Sequence, residues 1–235
     1  MSVVLAIGDL HEPFCLDKYL RFCKNVDRKA GCNKVVFIGD VIDNHYSSYH
    51  ETDPDGYSAG EELDRAIKRI GKWYRAFPDA YVCIGNHDRL VHRKAYTAGI
   101  SKRWVREYSE VLEAPGWQFV ESVTIDNVVY CNGDGKKDIQ RAKQDMQSVV
   151  QGHYHSECYV QWHTGAKCKV FGMQLGSGID KDSYAMAYGK YGPHPAIGCG
   201  VVHHGRVAPN YLMELWLTKT WKNTYPLFSI RWKRS

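Results

Sequence analysis

The sequence predicts a layered α/β sandwich, with two sheets flanked by helices. Two observations favour this fold class: buried strands alternate with amphipathic helices in the first half of the chain, and strands predominate in the second half. With 235 residues the chain can bury one sizeable core, so we expect a single domain over residues 1–235.

The first half of the chain alternates apolar strands with helices. Val3–Ile7 is an almost continuous apolar run, as expected for a strand that is covered on both faces. Val35–Ile38 and Tyr81–Ile84 are the next two runs of this kind. Apolar residues at helical spacing predict three helices around these strands. The predicted helices lie at residues 16–26, 63–77 and 104–112.

The second half is richer in strands. Gln118–Val123 and Val128–Cys131 flank Asp126 and Asn127, which together favour a hairpin turn. Further apolar runs lie at residues 149–150, 158–162, 170–175, 196–202 and 211–216. Residues 44–60 are polar and aromatic without periodicity and predict a long loop, which is usually either functional or disordered.

Cysteine spacing, apolar runs and charge narrow the class of protein. The eight cysteines include no C-x-x-C pair, so we expect reduced thiols and a cytoplasmic location. No run approaches the ~18 apolar residues of a membrane span, and the N-terminus has the pattern of a strand rather than of a signal peptide. The net charge of +5 is compatible with a phosphate ester or nucleic acid as substrate.

Four predicted strands each end in a cluster of polar residues that can bind metal. The clusters are Gly8–His11, Gly39–Asp43, Gly85–Asp88 and Gly152–His155. Ligands of open α/β sheets bind beyond the carboxyl ends of the strands, so we expect these clusters to converge. Carboxylates and imidazoles bind divalent manganese, iron, nickel or zinc. The number of ligands exceeds what one ion needs and predicts two.

The ordered motifs D-x-H, G-D-x-x-D, G-N-H-D and G-H-x-H resemble those of the calcineurin-like metallophosphoesterase family. Each motif alone is weak, but four in order, each after a strand, are a specific signal. The resemblance implies a phosphoesterase with two divalent ions, manganese foremost. The implied ligands are Asp9, His11 and His155 for one ion, Asn86 and His153 for the other, and Asp40 as the bridge.

The same resemblance implies roles in the hydrolysis. A hydroxide that bridges the ions would be the nucleophile, because the metals make its parent water acidic. His87 would protonate the leaving oxygen, and Asp88 would orient or tune His87. Asp43 is expected to form a hydrogen bond within its loop or to a ligand. A single Asp or His at a strand end is usually a cap or a solvated loop residue, but the four clusters together favour a site.

One ligand position departs from the family pattern. The family usually supplies another histidine at a strand end between the last two motifs, where this chain has Asn132. Three interpretations are open: Asn132 binds the second ion weakly, Asp134 replaces it, or a histidine has been substituted in this chain.

The residues after G-D-x-x-D bear on the substrate. Family members that act on phosphoproteins typically continue with Arg-Gly, whereas this chain continues with Asn44 and His45. The resemblance is therefore closer to small phosphodiesterases and nucleases of bacterial or phage type. We expect a phosphodiester substrate, nucleotide or nucleic acid. A phosphomonoesterase and a metal-poor binding scaffold are the alternatives. His45 and His92 lie close enough to the motifs to be candidates for contacting the substrate phosphate.

Two basic stretches have open roles. The run with Lys136, Lys137, Arg141 and Lys143 either faces nucleic acid or forms a solvated helix face. Residues 216–235 interleave basic and aromatic residues, which suits single-stranded nucleic acid and equally a closing strand.

Overall fold

Two packed β-sheets form the centre of the molecule, which confirms the predicted α/β sandwich. The computed structural model describes residues 1–49, 53–133, 135–166, 168–183 and 194–213. Its strands are β1 (Val3–Ile7), β2 (Lys34–Phe37), β3 (Ala80–Cys83), β4 (Trp117–Val120), β5 (Ser122–Ile125), β6 (Val128–Cys131), β7 (Ser148–Gln151), β8 (Cys158–Thr164), β9 (Lys169–Leu175), β10 (Gly198–His203) and β11 (Asn210–Leu212).

Helices lie on the outer faces and in the connections of the sandwich. The α-helices are α1 (Asp17–Ala30), α2 (Ala59–Ala76), α3 (Leu90–Thr97), α4 (Tyr108–Val111) and α5 (Asp138–Asp145), and short 3₁₀ helices span His45–Ser47 and Lys102–Trp104. None of the described helices combines the length and the apolar composition that a membrane-spanning helix requires.

The sheet order brings several strand ends to one edge of the sandwich. The first sheet runs β11-β10-β1-β2-β3-β4, and its strands β1 to β4 are mutually parallel. The second sheet runs β5-β6-β7-β9-β8, with β6, β7 and β9 parallel. Since parallel strands end at the same edge, the loops after β1, β2 and β3 are neighbours, as are those after β6 and β7.

Three hydrophobic layers hold the sheets and helices together. Helices α1 and α2 cover the first sheet, where Leu5 and Phe37 pack with Trp73. Alternate residues of the same strands, such as Val4, face the second sheet and meet Phe171. Helix α5 covers the outer face of the second sheet. Burial on both faces explains the continuous apolar runs in these strands.

One predicted strand divides between the two sheets. Residues 118–123 were expected to form one strand, but β4 pairs with β3 and β5 pairs with β6. The chain therefore passes from one sheet to the other at Glu121. The predicted turn between β5 and β6 is confirmed: Asp126 and Asn127 have φ values of 49° and 62°, as a tight hairpin turn with two left-handed residues requires.

The prediction of a third helix is largely wrong. Residues 104–112 were expected to be helical, whereas helix α4 spans only Tyr108–Val111 and the helix α3 precedes it. Val105 and Glu107 have extended backbones, which interrupts any helix through them. The side chain of Trp104 is 84% exposed, so the apolar spacing here did not reflect a buried face.

Candidate metal centre

The candidate site lies where strand ends of both sheets meet. Asp9 follows β1, Asp40 follows β2 and Asn86 follows β3 in the first sheet. Asn132 follows β6 and His153 follows β7 in the second. The predicted convergence of the motifs therefore involves two facing sheets rather than the edge of one.

Four side chains form what we call the first ligand cluster: Asp9, His11, Asp40 and His155. One potential ligand atom from each lies within 4.8 Å of the others, and all except His155 are buried. The Nε2 atoms of His11 and His155 are 3.0 Å apart, and Nε2 of His155 is 3.4 Å from Oδ2 of Asp9. Two carboxylates and two imidazoles so close together, largely out of water, make a favourable environment for a cation.

The hydrogen bonds of Asp40 show that the first ligand cluster fits a metal ion. Its Oδ1 accepts a hydrogen bond from the backbone N–H of His87 at 2.7 Å. Its Oδ2 is buried and has no hydrogen-bond partner among the described residues. A buried carboxylate oxygen without a partner is costly, and a bound divalent ion would remove that cost.

Three residues with predicted ligand roles have unusual backbone conformations. The φ values of His11, Asp40 and His153 are 53°, 44° and 72°, in the left-handed region that non-glycine residues rarely adopt. Each such residue costs of the order of 1–3 kcal/mol, and these conformations concentrate at functional sites. The loops thus hold these residues against their intrinsic backbone preference.

A second group, which we call the second ligand cluster, contains Asn86, Asn132 and His153. Nδ1 of His153 is 3.0 Å from Oδ1 of Asn86. Asn132 donates from Nδ2 to Oδ1 of Asp9 at 3.2 Å, and the backbone N–H of His153 donates to Oδ2 of Asp9 at 2.6 Å. Asp9 thus links the two clusters.

Asn132 has an oxygen that a metal could use. Its Oδ1 is buried without a hydrogen-bond partner among the residues that the structure describes. The position after β6 therefore does face the site, with an amide where the family pattern has imidazole. Asp134, the rival ligand, lies outside the described residues.

Asp43 has a larger part in the site than the sequence indicated. Its Oδ1 is 2.6 Å from Nδ1 of His11, and its backbone oxygen is 2.7 Å from Nδ1 of His87. Both Asp43 atoms are acceptors, so Nδ1 of each ring carries the proton. The Nε2 atom of His11 then faces the first ligand cluster, oriented by its carboxylate partner.

Asp88 was expected to orient or tune His87, and it forms no hydrogen bond with the ring of His87 that would orient it. Its carboxylate instead accepts hydrogen bonds from the backbone N–H groups of Gly85 at 2.8 Å and Ile42 at 3.3 Å. Asp88 turns back into its own loop because these buried N–H groups need an acceptor. Burial and the nearby charge of Asp40 raise the pKa of Asp88 to about 7.

Burial and charge shift the two central histidines in opposite directions. Burial lowers the pKa of His11 to about 4, despite the hydrogen bond to Asp43, so the ring is neutral as a metal ligand must be. Burial also opposes protonation of His87, but the charges of Asp40 and Asp43 outweigh it and raise the pKa of His87. The charge of Asp88 makes a smaller contribution that also raises the pKa of His87.

The two other histidines close to the motifs pack against aromatic rings. The ring of His45 is buried 6.4 Å from that of Phe14, and the ring of His92 lies 4.8 Å from that of Tyr108. Glu62 of α2 accepts hydrogen bonds from the backbone N–H groups of His45 and Tyr46 at 2.7 and 3.2 Å. This carboxylate, which no sequence motif indicated, anchors the loop that follows Asp43.

A comparison with protein families finds one that matches most of this chain. A family model described as "Calcineurin-like phosphoesterase" matches residues 2–176, a region that contains both ligand clusters. No curated protein matches the sequence at a significant level.

The solved structures that are similar to this chain include the following two. Vacuolar Protein Sorting 29 from Cryptosporidium parvum is 14% identical, with a TM-score of 0.43, and the match covers 90% of this chain and 96% of that chain. YfcE, a phosphoesterase from E. coli, is 14% identical, with a TM-score of 0.42 and coverage of 86% and 88%.

Proposed function

Since the chain belongs to the calcineurin-like phosphoesterase family, we propose that it hydrolyses phosphodiester bonds in nucleotides or nucleic acid with two divalent metal ions. The family generally uses divalent metals. The observation that carries the proposal is the first ligand cluster, above all the buried Oδ2 atom of Asp40 that no described residue satisfies.

We assign the metal ligands by cluster. Asp9, His11 and His155 would hold one ion, and Asn86, Asn132 and His153 the other, with Asp40 shared between them. When bound, such ions lower the pKa of water and polarise the phosphoryl group. We propose manganese because oxygen donors outnumber imidazoles in this ligand set, and carboxylate and amide oxygens suit a hard divalent ion such as manganese. The imidazoles also suit iron, nickel and zinc.

His87 is the proposed general acid. The backbone oxygen of Asp43 holds its Nδ1–H, so its Nε2 is available to protonate the leaving oxygen. The carboxylates around it raise the pKa of His87, which keeps the ring protonated to higher pH. A positioned general acid is typically worth about 10²–10⁴ in rate.

A diester fits the surroundings better than a monoester. A monoester dianion carries an additional negative charge, which family members acting on phosphoproteins meet with an arginine after the second motif. Here the equivalent residue, Asn44, donates its amide N–H to the backbone oxygen of His87 at 3.0 Å. No described residue of either ligand cluster forms a hydrogen bond or ion pair with lysine or arginine.

The test is a substrate panel with the purified protein and added manganese. Bis-p-nitrophenyl phosphate should turn over faster than p-nitrophenyl phosphate. His87→Ala should retain its bound metal and lose about 10²–10⁴ in rate, with a smaller loss for nitrophenyl than for alkyl esters, because good leaving groups need little protonation. Faster hydrolysis of the monoester would establish a phosphomonoesterase instead.

A metal-poor binding scaffold is the second candidate function. One observation favours it: the second ligand cluster has the neutral amide of Asn132 in place of an imidazole. The contact between His87 and Asp43 argues against it, because a scaffold has no use for a positioned proton donor. A protein that binds no manganese and cleaves neither ester would support the scaffold.

A further inference from the structure

A basic and aromatic surface lies beside the candidate metal centre. It consists of exposed side chains from residues 89–106, including α3, together with Tyr49, and we call it the α3 surface. Residues 89–106 contain six of the 31 lysines and arginines of the chain and none of its 26 acidic residues. This segment therefore carries more positive charge than the whole chain, whose net charge is +5.

Aromatic rings are exposed among these charges. The side chains of Tyr49, Tyr96 and Trp104 are 55%, 85% and 84% exposed, so much of each ring is open to solvent. The guanidinium carbon of Arg93 and the ammonium of Lys94 lie 5.2 and 5.4 Å from the centre of the Tyr49 ring. Two basic residues of α3 therefore lie beside an exposed aromatic ring.

Four of the six basic residues in this segment are not neutralised by acidic side chains, whereas Arg89 pairs with Glu121 and Arg106 pairs with Glu110. Arg93, Lys94, Lys102 and Arg103 form no ion pair with any residue that the structure describes. Around α5, by comparison, Lys137 pairs with Glu157 at 2.8 Å and Arg141 with Asp145 at 3.8 Å, which leaves fewer unpaired basic residues there. The α3 surface therefore has the greater attraction for an external anion.

The α3 surface directly follows the loop that carries His87 and Asp88. Helix α3 begins two residues after Asp88, and the hydroxyl of Tyr108 donates to the backbone oxygen of Asp88 at 3.2 Å. The ring of Tyr108 in turn packs against His92 of α3. A chain-like substrate lying on this surface would thus lead towards His87.

We propose that the α3 surface binds single-stranded nucleic acid and delivers it to the metal centre. The inference rests on the proposed function and narrows its substrate to a polynucleotide strand. Cations that follow the phosphates and exposed rings that stack on bases are the two features of sequence-tolerant single-strand binding. A duplex hides its base faces and leaves the rings without a stacking partner, and an anionic membrane offers no bases at all.

The first experiment removes charge. Binding of a fluorescein-labelled oligonucleotide of about 12 thymidines, within the usual site size for single strands, is followed by anisotropy in EDTA so that no cleavage occurs. The double variant Lys102→Glu with Arg103→Glu should weaken binding at least tenfold. It should also reduce the slope of the logarithm of the binding constant against the logarithm of the salt concentration by about 1.4, or about 0.7 for each lost phosphate contact. The matched control, Lys24→Glu with Arg28→Glu on exposed positions of α1, should bind like the unchanged protein.

The second experiment removes a ring. Trp104→Ala, at an exposed position, should weaken binding about tenfold with an unchanged salt slope. A duplex of equal length should bind less tightly than the single strand. The inference is overturned if both double variants weaken oligonucleotide binding equally, or if the duplex binds as tightly as the single strand and Trp104→Ala has no effect. Phosphatidylserine vesicles test the membrane alternative. Variants that lose binding to these vesicles but keep oligonucleotide binding would also overturn the inference.

A small substrate separates this inference from the proposed function. Bis-p-nitrophenyl phosphate is too short to reach from the metal centre across the α3 surface, so all of these variants should hydrolyse it normally. Normal hydrolysis with undiminished oligonucleotide binding in the variants would overturn the inference alone. Loss of oligonucleotide binding in the variants of a protein that cleaves no ester would support the surface and contradict the proposed function.

Discussion

The first and second ligand clusters differ in how much they depend on a bound metal. The first places two carboxylates and two imidazoles in contact, three of the four residues being buried. Oδ2 of Asp40 has no partner there among the described residues. The second consists of one imidazole and two neutral amides, and its members Asn86 and His153 already lie 3.0 Å apart at atoms that can hydrogen-bond.

The physical reason for this difference is charge. An ionised carboxylate left unsatisfied in the interior costs more free energy than an unsatisfied neutral amide. The first ligand cluster therefore gains more from a divalent ion than the second does. If both clusters bind metal, the first should fill at lower metal concentration, and substitutions at five positions can break or sharpen that comparison.

Asp40→Asn should have the largest effect, because the proposal makes Asp40 the ligand shared by both ions. The substitution keeps the shape and removes the charge, so both sites should lose metal and diester hydrolysis should fall about 10³-fold or more. Metal content of the purified variant and turnover of bis-p-nitrophenyl phosphate are the measurements, with circular dichroism to confirm folding. Normal metal content would remove Asp40 from its assigned role.

Asp43→Asn should weaken the first ligand cluster selectively. Asp43 holds His11 through a hydrogen bond of 2.6 Å, and loss of such a supporting partner typically costs about 10–100-fold in metal affinity or activity. A manganese titration of activity, with metal content measured alongside, should show the tighter site shifting to higher concentration.

Asp88→Asn is the matched control for Asp43→Asn. It makes the same change from acid to amide, but Asp88 contacts loop N–H groups and no ligand imidazole. Its manganese titration should therefore stay close to that of the unchanged protein. Equal shifts in the two variants would mean that charge near the site, rather than the contact with His11, sets the affinity.

Asn132→His should give the smallest effect, and a gain. Imidazole is a stronger donor than an amide oxygen, and this position already faces Asp9. The second ligand cluster should bind manganese more tightly, so that half-maximal activity is reached at a lower manganese concentration. Turnover at limiting metal should rise accordingly.

The outcome of the Asn132→His titration distinguishes two ligand assignments. An unchanged titration, together with loss of the second ion in Asp134→Ala, would make Asp134 the ligand in place of Asn132. If neither substitution has an effect and the starting protein already holds two tightly bound ions, the ligand set of the second ligand cluster is incomplete as assigned.

Local periodicity predicted those elements whose burial follows directly from their own residues. The strand β1 has the predicted bounds Val3–Ile7, and α1 and α2 contain the predicted apolar residues except Leu16 and Phe77, which are cap residues. The prediction was wrong at residues 104–112, where exposed Trp104 has helical spacing but no core to face. The spacing of apolar residues shows which face of a helix would be apolar. It does not show whether another part of the chain packs against that face.

For the site, the sequence by itself determined which chemical groups follow which strands. Asp9, Asp40, Asn86 and His153 lie at strand ends because strand and loop are local properties, and parallel strands bring their ends together. Only the tertiary structure decided the partners of the buried polar groups. Asp43 rather than Asp88 holds His87, and the side-chain amide of Asn132 donates to Asp9. These hydrogen-bond partners depend on left-handed loop backbones and on N–H groups from distant segments of the chain. The N–H groups compete for the same acceptors only once the chain has folded.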